Sequence, residues 1–116
     1  MDFQTPPIVV KPIADGLRVL LSGPIHTNTA WIERELDKVV AQKPKLVELD
    51  LSGTDHISSL GLGILVKLHN AIKADGGTLR IVKILPKIKN ILRAAYLDRM
   101  LVIAPDAVID AGGGRI

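Results

Sequence analysis

The stretch Leu46-Val47-Glu48-Leu49-Asp50-Leu51-Ser52-Gly53-Thr54-Asp55-His56-Ile57-Ser58-Ser59-Leu60-Gly61-Leu62-Gly63 changes periodicity midway, and that change decides the fold. Leu46, Val47, Leu49 and Leu51 form a short apolar run interrupted by Glu48 and Asp50. Lys43-Pro44-Lys45 bounds it behind and Ser52-Gly53-Thr54-Asp55 ahead, which predicts a strand over 46–51. Beyond Ser59, Leu62, Leu65, Val66, Leu68, Ala71 and Ile72 recur at three- and four-residue steps until Asp75-Gly76-Gly77, which predicts a helix over 59–75. Ser58 or Ser59 is its N-cap. The hydroxyl there serves one of two purposes. It satisfies an orphan N–H of the first turn, or it sits where those N–H groups and the positive end of the helix dipole favour a phosphate.

Outward from this junction the chain alternates strands and helices. Ile8-Val9-Val10 and Leu17-Arg18-Val19-Leu20-Leu21 read as strands joined through Ala14-Asp15-Gly16, an antiparallel hairpin. Ser22-Gly23-Pro24 ends the second strand, and Ala30, Ile32, Leu36, Val39 and Val40 then follow a helical period, capped by Thr27, Asn28 or Thr29. On the other side, Thr78-Leu79-Arg80-Ile81-Val82-Lys83-Ile84 alternates as a strand. A third helix opens near Pro86 and turns Ile88, Ile91, Leu92 and Ala95 inward. Met100-Leu101-Val102-Ile103 reads as a last strand and Pro105 to Ile109 as a short helical turn. The order implies right-handed crossovers and an α/β domain. Its sheet is mixed but mostly parallel, of four or five strands with an opening hairpin, and carries three or four helices, one face being less covered than the other. The domain is expected over 1–111, with Gly112-Gly113-Gly114-Arg115-Ile116 as a flexible tail.

A chain of 116 residues suffices for one buried core. With no cysteine, disulfides, thiol nucleophiles and cysteine-based zinc sites are excluded. Met1 to Pro7 has neither a basic head nor a long apolar stretch, and no apolar run approaches a membrane span. The expectation is therefore a cytoplasmic protein with no membrane insertion. Net charge is +3, concentrated between Lys67 and Arg99. The only aromatics, Phe3, Trp31 and Tyr96, do not interleave with those basic residues, so no stacking platform for direct nucleic-acid binding is expected.

Catalytic motifs fail residue by residue. Gly61-Leu62-Gly63 opens a helix after a strand, but Val66 stands where a dinucleotide fingerprint needs its third glycine. The two glycines are read as letting the helix start lie close to the sheet. Ser59 and Gly61 fit the second half of a nucleophile elbow, whereas Ile57 occupies the position of its first glycine. His26, His56 and His69 lack ligand spacing and are read as surface or loop side chains. Glu48 and Asp50 alternate with apolar residues, which points both to one face or edge of the sheet, while Asp55 lies in the Ser59 loop. No catalytic residue, metal or cofactor is assigned.

The assembled pieces resemble the STAS domain of the anti-sigma factor antagonist family. They are Leu21-Ser22-Gly23-Pro24-Ile25-His26-Thr27-Asn28-Thr29-Ala30, Leu46 to Gly53, Ile57-Ser58-Ser59-Leu60-Gly61-Leu62-Gly63, Asp75-Gly76-Gly77 and Ala95-Tyr96-Leu97-Asp98, in family order. The resemblance implies a cytoplasmic regulator that binds an anti-sigma factor, itself a serine protein kinase, and so frees a sigma factor for RNA polymerase. Phosphorylation of a serine at the strand-to-helix turn switches that binding off. The family pattern Asp-Ser-Ser-Gly-Leu-Gly lays its phosphorylated serine on Ser59, its Asp on Ser58, its second Ser on Leu60 and its glycines on Gly61 and Gly63. The implied partner-binding surface comprises His26, Thr27, Asn28, Asp55, Ser58, Ser59, Leu60, Gly61 and Gly63. Ser58 and His26 replace acidic residues of the family, which removes negative charge near Ser59. The alternative is a STAS scaffold subunit of a signalling complex or membrane transporter that is not phosphorylated. A small-molecule or nucleotide module using the helix start as an anion site is the third class.

Overall fold

The computed structural model describes residues 8–26 and 29–109. Five strands form one sheet: β1 (Ile8–Ile13), β2 (Gly16–Ser22), β3 (Leu46–Gly53), β4 (Thr78–Ile84) and β5 (Val102–Ile103), in the spatial order β1-β2-β3-β4-β5. β1 and β2 pair antiparallel across the tight turn at 14–15, and every later pairing is parallel. Between the parallel strands run α1 (Thr29–Ala41), α2 (Ser59–Ala74) and α3 (Pro86–Ala94). The α/β class, the opening hairpin and the mostly parallel sheet all agree with the sequence.

Because each parallel strand lies beside its predecessor, right-handed crossovers put every helix on the same face of the sheet. That face supplies Val19 and Leu21 from β2, Val47, Leu49 and Leu51 from β3, and Leu79, Ile81 and Ile84 from β4. Ile32, Leu36 and Val39 of α1, Ile64, Leu65, Leu68 and Ile72 of α2, and Ile88 and Leu92 of α3 close over them in a single core. The period of two in the strands and of 3.6 in the helices thus selects one contiguous apolar layer.

The opposite face carries charge. Arg18, Glu48 and Arg80 stand side by side on β2, β3 and β4. Arg18 donates to Glu48 Oε1 from Nη2 at 2.6 Å and from Nε at 3.1 Å, and Arg80 Nη2 lies 3.6 Å from Oε2. The Glu48 side chain retains only 15% of its exposure between the two guanidinium groups. The Arg18 hydrogen bonds hold its carboxyl below the usual value of 4.5, outweighing the opposing effect of burial, with the positive charges of Arg18 and Arg80 adding to the shift.

Asp50 lies on this same face, as the alternation predicts, because Val47, Leu49 and Leu51 all turn to the core. The slip in register between Leu49 and Asp50 is taken up by an extra residue, Val82, on β4. Asp50 is 6% exposed, its Oδ1 accepting from Ser52 N at 2.8 Å and Ser52 Oγ at 2.6 Å, which locks the end of the strand.

Two expectations are corrected at the C-terminal end. The last strand is only Val102–Ile103, because Leu97–Arg99 winds into a 3-10 helical turn entered through Tyr96 in the left-handed region. Residues 105–109 are not helical. Ala107 N donates to Ala104 O around Pro105 in a β-turn, after which Val108 bridges Ile84 in parallel. α2 stops at Ala74, with Asp75 as its C-cap. Thr27, Asn28 and the 112–116 tail lie outside the described residues.

The Arg18–Glu48–Arg80 row predicts a pH-dependent contribution. Glu48→Gln should lower unfolding free energy by about 1 kcal/mol at neutral pH. A carboxyl whose folded pKa is depressed stabilises above its unfolded value and loses that contribution as pH falls through the folded one. In urea titrations, wild type and Glu48→Gln should therefore differ at neutral pH and converge progressively below pH 4.5.

Candidate functional site

Since β2 and β3 are parallel neighbours, the chain leaves both from the same edge of the sheet, and the two exit loops continue side by side. Gly23 N donates to Gly53 O at 2.8 Å, Ile25 N to His56 O at 2.9 Å and Ser58 N to Ile25 O at 2.9 Å, with Ile25 and Ile57 forming an isolated parallel bridge. Gly23 permits the first turn with a φ of 78°, a region that side chains other than glycine rarely adopt. Beneath the loops, the buried Thr54 Oγ1 donates to Leu21 O at 2.9 Å. Ile25 and Ile57 are both buried, so each loop is tied down by a backbone pair and an apolar anchor.

This platform carries the start of α2. Ser58 has extended backbone (φ −88°, ψ 175°), and its Oγ accepts from Gly61 N at 3.2 Å while its carbonyl accepts from Leu62 N at 2.9 Å. Ser58 is therefore the N-cap, which resolves the choice between the two serines. Ser59, the first helical residue, is exposed, and no side-chain hydrogen bond engages its hydroxyl among the described residues. One serine closes the helix; its neighbour is left chemically available.

Gly61 and Gly63 have different reasons to be glycine. A Cβ on Gly61 would stand 2.6 Å from Ile57 Cγ1 and 2.9 Å from both Ile25 Cγ2 and the Ile25 carbonyl oxygen. Gly61 thus seats the helix on the two loop isoleucines. A Cβ on Gly63 would meet nothing within 4 Å, so the expectation that both glycines allow close packing is corrected for Gly63. Gly63 instead leaves a bare spot on an exposed helix face, one turn from Leu60, which is 66% exposed.

The His26 and His56 rings lie 5.7 Å apart, tilted by 57°, and bring the two loops together again through their side chains. Asp55 is exposed, and the first turn of α2 has no acidic residue to offset the positive end of its dipole. His69 departs from the surface reading: it lies on α2, half-buried, with its Nδ1 sealed from water. Among the described residues no three His, Cys, Asp or Glu side chains gather as a metal site requires, and no helix is long and apolar enough to cross a membrane.

The structure thus brings His26, Asp55, Ser58, Ser59, Leu60, Gly61 and Gly63 to one edge of the sheet, while Thr27 and Asn28 fall outside the described residues. Sequence reasoning missed Ile25, Ile57 and Thr54. Their signal was available: Ile25 and Ile57 are lone apolar residues inside otherwise polar turns, each next to a histidine.

The family profile of the STAS domain matches residues 9–108. No curated protein matches the sequence. Among solved structures, an anti-sigma factor antagonist from Mycobacterium paratuberculosis superposes with a TM-score of 0.76 at 24% identity, covering 84% of this chain and 84% of that one. The protein TM1081 of Thermotoga maritima gives a TM-score of 0.76 at 22% identity over 83% and 84% of the two chains. SpoIIAA of Bacillus, an anti-sigma factor antagonist in its unphosphorylated form, gives 0.66 at 12% identity over 85% and 89%.

The contrast between the two glycines is testable. Gly61→Ala should destabilise by about 1–3 kcal/mol, because the added methyl meets backbone as well as side chain. Gly63→Ala should raise stability by up to about 1 kcal/mol through helix propensity alone. Thermal unfolding of the two variants measures the difference, and equal shifts would contradict the seating of Gly61 on Ile25 and Ile57.

Proposed function

The chain belongs to the STAS domain family, and on that footing we propose that it is an anti-sigma factor antagonist whose docking on a serine kinase is switched by phosphorylation of Ser59. The observation that carries this reading is the division of labour at the head of α2. Ser58 makes the cap, and Ser59 stands exposed beside it. The docking surface is the edge formed by His26 of the first loop, Asp55 and Ser58 of the second, and Ser59, Leu60, Gly61 and Gly63 of α2, to which the family resemblance adds Thr27 and Asn28. Leu60 offers an exposed apolar side chain, and the bare backbone at Gly63 admits a partner closely.

In the switch, the kinase transfers the γ-phosphoryl group of ATP to Ser59 Oγ; the hydroxyl proton passes to a base of the kinase and ADP leaves. The phosphate adds about −1.5 to −2 of charge at neutral pH. On the free chain that charge is well placed, since the first turn of α2 presents unpaired N–H groups and the positive end of the dipole with no carboxylate of its own. At an interface the same group brings desolvation and charge repulsion, so binding fails while the fold persists. SpoIIAA has been solved in both unphosphorylated and phosphorylated forms, and each superposes on this chain. The domain is read as a cytoplasmic regulator of transcription that acts by protein contact and carries no catalysis of its own.

The second reading, a scaffold subunit that is not phosphorylated, draws on Ser58 and His26. Both stand where the family pattern is acidic. In the Ser59 loop, residues 54–59, a kinase that reads carboxylates beside its target serine finds one, the exposed Asp55.

Calorimetric titration with the partner kinase separates the two. Ser59→Asp should weaken binding by at least about tenfold without lowering the unfolding midpoint. Ser58→Ala should instead cost about 1 kcal/mol of stability through loss of the cap. Equal affinity of wild type and Ser59→Asp would favour the scaffold.

A further inference from the structure

The three helices end in the same way but on different residues. Beyond α1, α2 and α3, Lys43, Gly76 and Tyr96 take up left-handed backbone with φ of 50°, 83° and 61°. Each donates its N–H three residues back, to Val40 O at 2.9 Å, Lys73 O at 2.9 Å and Arg93 O at 3.0 Å. The position asks for a positive φ, which glycine supplies without the steric cost a side chain incurs. Lys43 brings a positive charge to the negative end of α1. Tyr96 brings none, and it is 72% exposed, so its ring adds little to the core. Among the described residues that ring meets Arg99, whose guanidinium carbon stands 6.0 Å from the ring centroid, at the outer limit of a cation–π contact. Strained backbone under an exposed aromatic side chain points to a role in contact with another molecule.

The surface around Tyr96 is positive. Lys89 and Arg93 lie one turn apart on the same flank of α3, and Arg99 and Met100 follow in the 3-10 turn, which packs against that helix. From Pro86 to Met100 the cations Lys87, Lys89, Arg93 and Arg99 accompany a single carboxylate, Asp98. Among the described residues none of these cations forms an ion pair, whereas Arg18, Lys38, Lys67 and Arg80 each lie against a glutamate. Met100 is 40% exposed. Tyrosine, arginine and methionine are the side chains enriched where proteins meet. A single ring stacks only one base and Met100 gains little from a phosphate, so the composition favours a polypeptide over a nucleic-acid strand.

We propose that Arg93, Tyr96, Arg99 and Met100, with Lys89 at the rim, form a second docking surface for an acidic polypeptide segment. The segment lays an apolar side chain against the Tyr96 ring and Met100, and its carboxylates meet the unpaired cations. α3 leads away from the sheet edge that carries Ser59, and its nine residues put Tyr96 about 13 Å further down the domain. The surface is therefore free while the Ser59 edge is engaged, and either proposal can fail alone.

The hexapeptide Glu-Leu-Glu-Glu-Leu-Glu, blocked at both ends, is the probe, and Tyr96→Gly is the discriminating variant. Tyr96→Gly should raise the unfolding midpoint by about 2–5 °C, because it relieves the left-handed position and removes little packing. In an amide NMR titration at constant ionic strength, the peptide should shift the signals of Arg93, Tyr96, Arg99 and Met100 and saturate with a midpoint of about 0.1–1 mM. That midpoint should rise about tenfold in Tyr96→Gly and by a similar factor in Arg93→Glu. A lowered unfolding midpoint in Tyr96→Gly would overturn the proposal, since the ring would then serve the fold. So would shifts that do not saturate by about 10 mM, an unchanged peptide midpoint in Tyr96→Gly, or equal binding of an oligothymidylate of the same charge.

Discussion

Three backbone hydrogen bonds beyond the ends of β2 and β3 hold everything of interest at this sheet edge: Gly23 N to Gly53 O, Ile25 N to His56 O and Ser58 N to Ile25 O. They continue parallel pairing into segments that are no longer strands, leaving the exit loops little freedom. Ile25 and Ile57, buried at the junction, turn the zipper into a floor, and Gly61 lets α2 rest on it. The position of Ser59 follows from that floor. Without it the helix start would be fixed only by its own cap and by packing a turn further on.

The same construction explains how Ser59 can be exposed without weakening the helix. Helix starts leave N–H groups unpaired, and a single side chain commonly both caps the helix and lies at its surface. Here the tasks fall to successive residues. Ser58, held by Ile25 through its own N–H, spends its hydroxyl on Gly61 N, and Ser59 keeps its own for solvent or a partner. A neutral cap beside an uncompensated helix dipole is also a favourable setting for added negative charge, so the proposed phosphate on Ser59 would act on docking and leave folding alone.

Much of this was legible in the sequence because it rests on local periodicity. The switch from alternation over 46–51 to three- and four-residue spacing after Ser59 marks β3, the turn and α2, and the strand patterns at 17–21 and 78–84 give the parallel neighbours. What escaped was set by neighbours distant in sequence. Gly61 and Gly63 are indistinguishable in the sequence and differ because Ile57 and the distant Ile25 lie under one of them. Pro105 begins a β-turn instead of a helix because Val108 finds a bridge partner in Ile84. The charged row Arg18–Glu48–Arg80 likewise requires the register of three strands, which no single window of sequence contains.

The central claim is that Ser59, and not its capping neighbour, is the residue a partner kinase modifies. Site-resolved mass spectrometry of the chain after incubation with that kinase and ATP tests it most directly. The account predicts a single phosphate on Ser59, with Ser58 unmodified because its hydroxyl is engaged in the cap. Phosphate on Ser58, or none on either serine while the complex still forms, would contradict it.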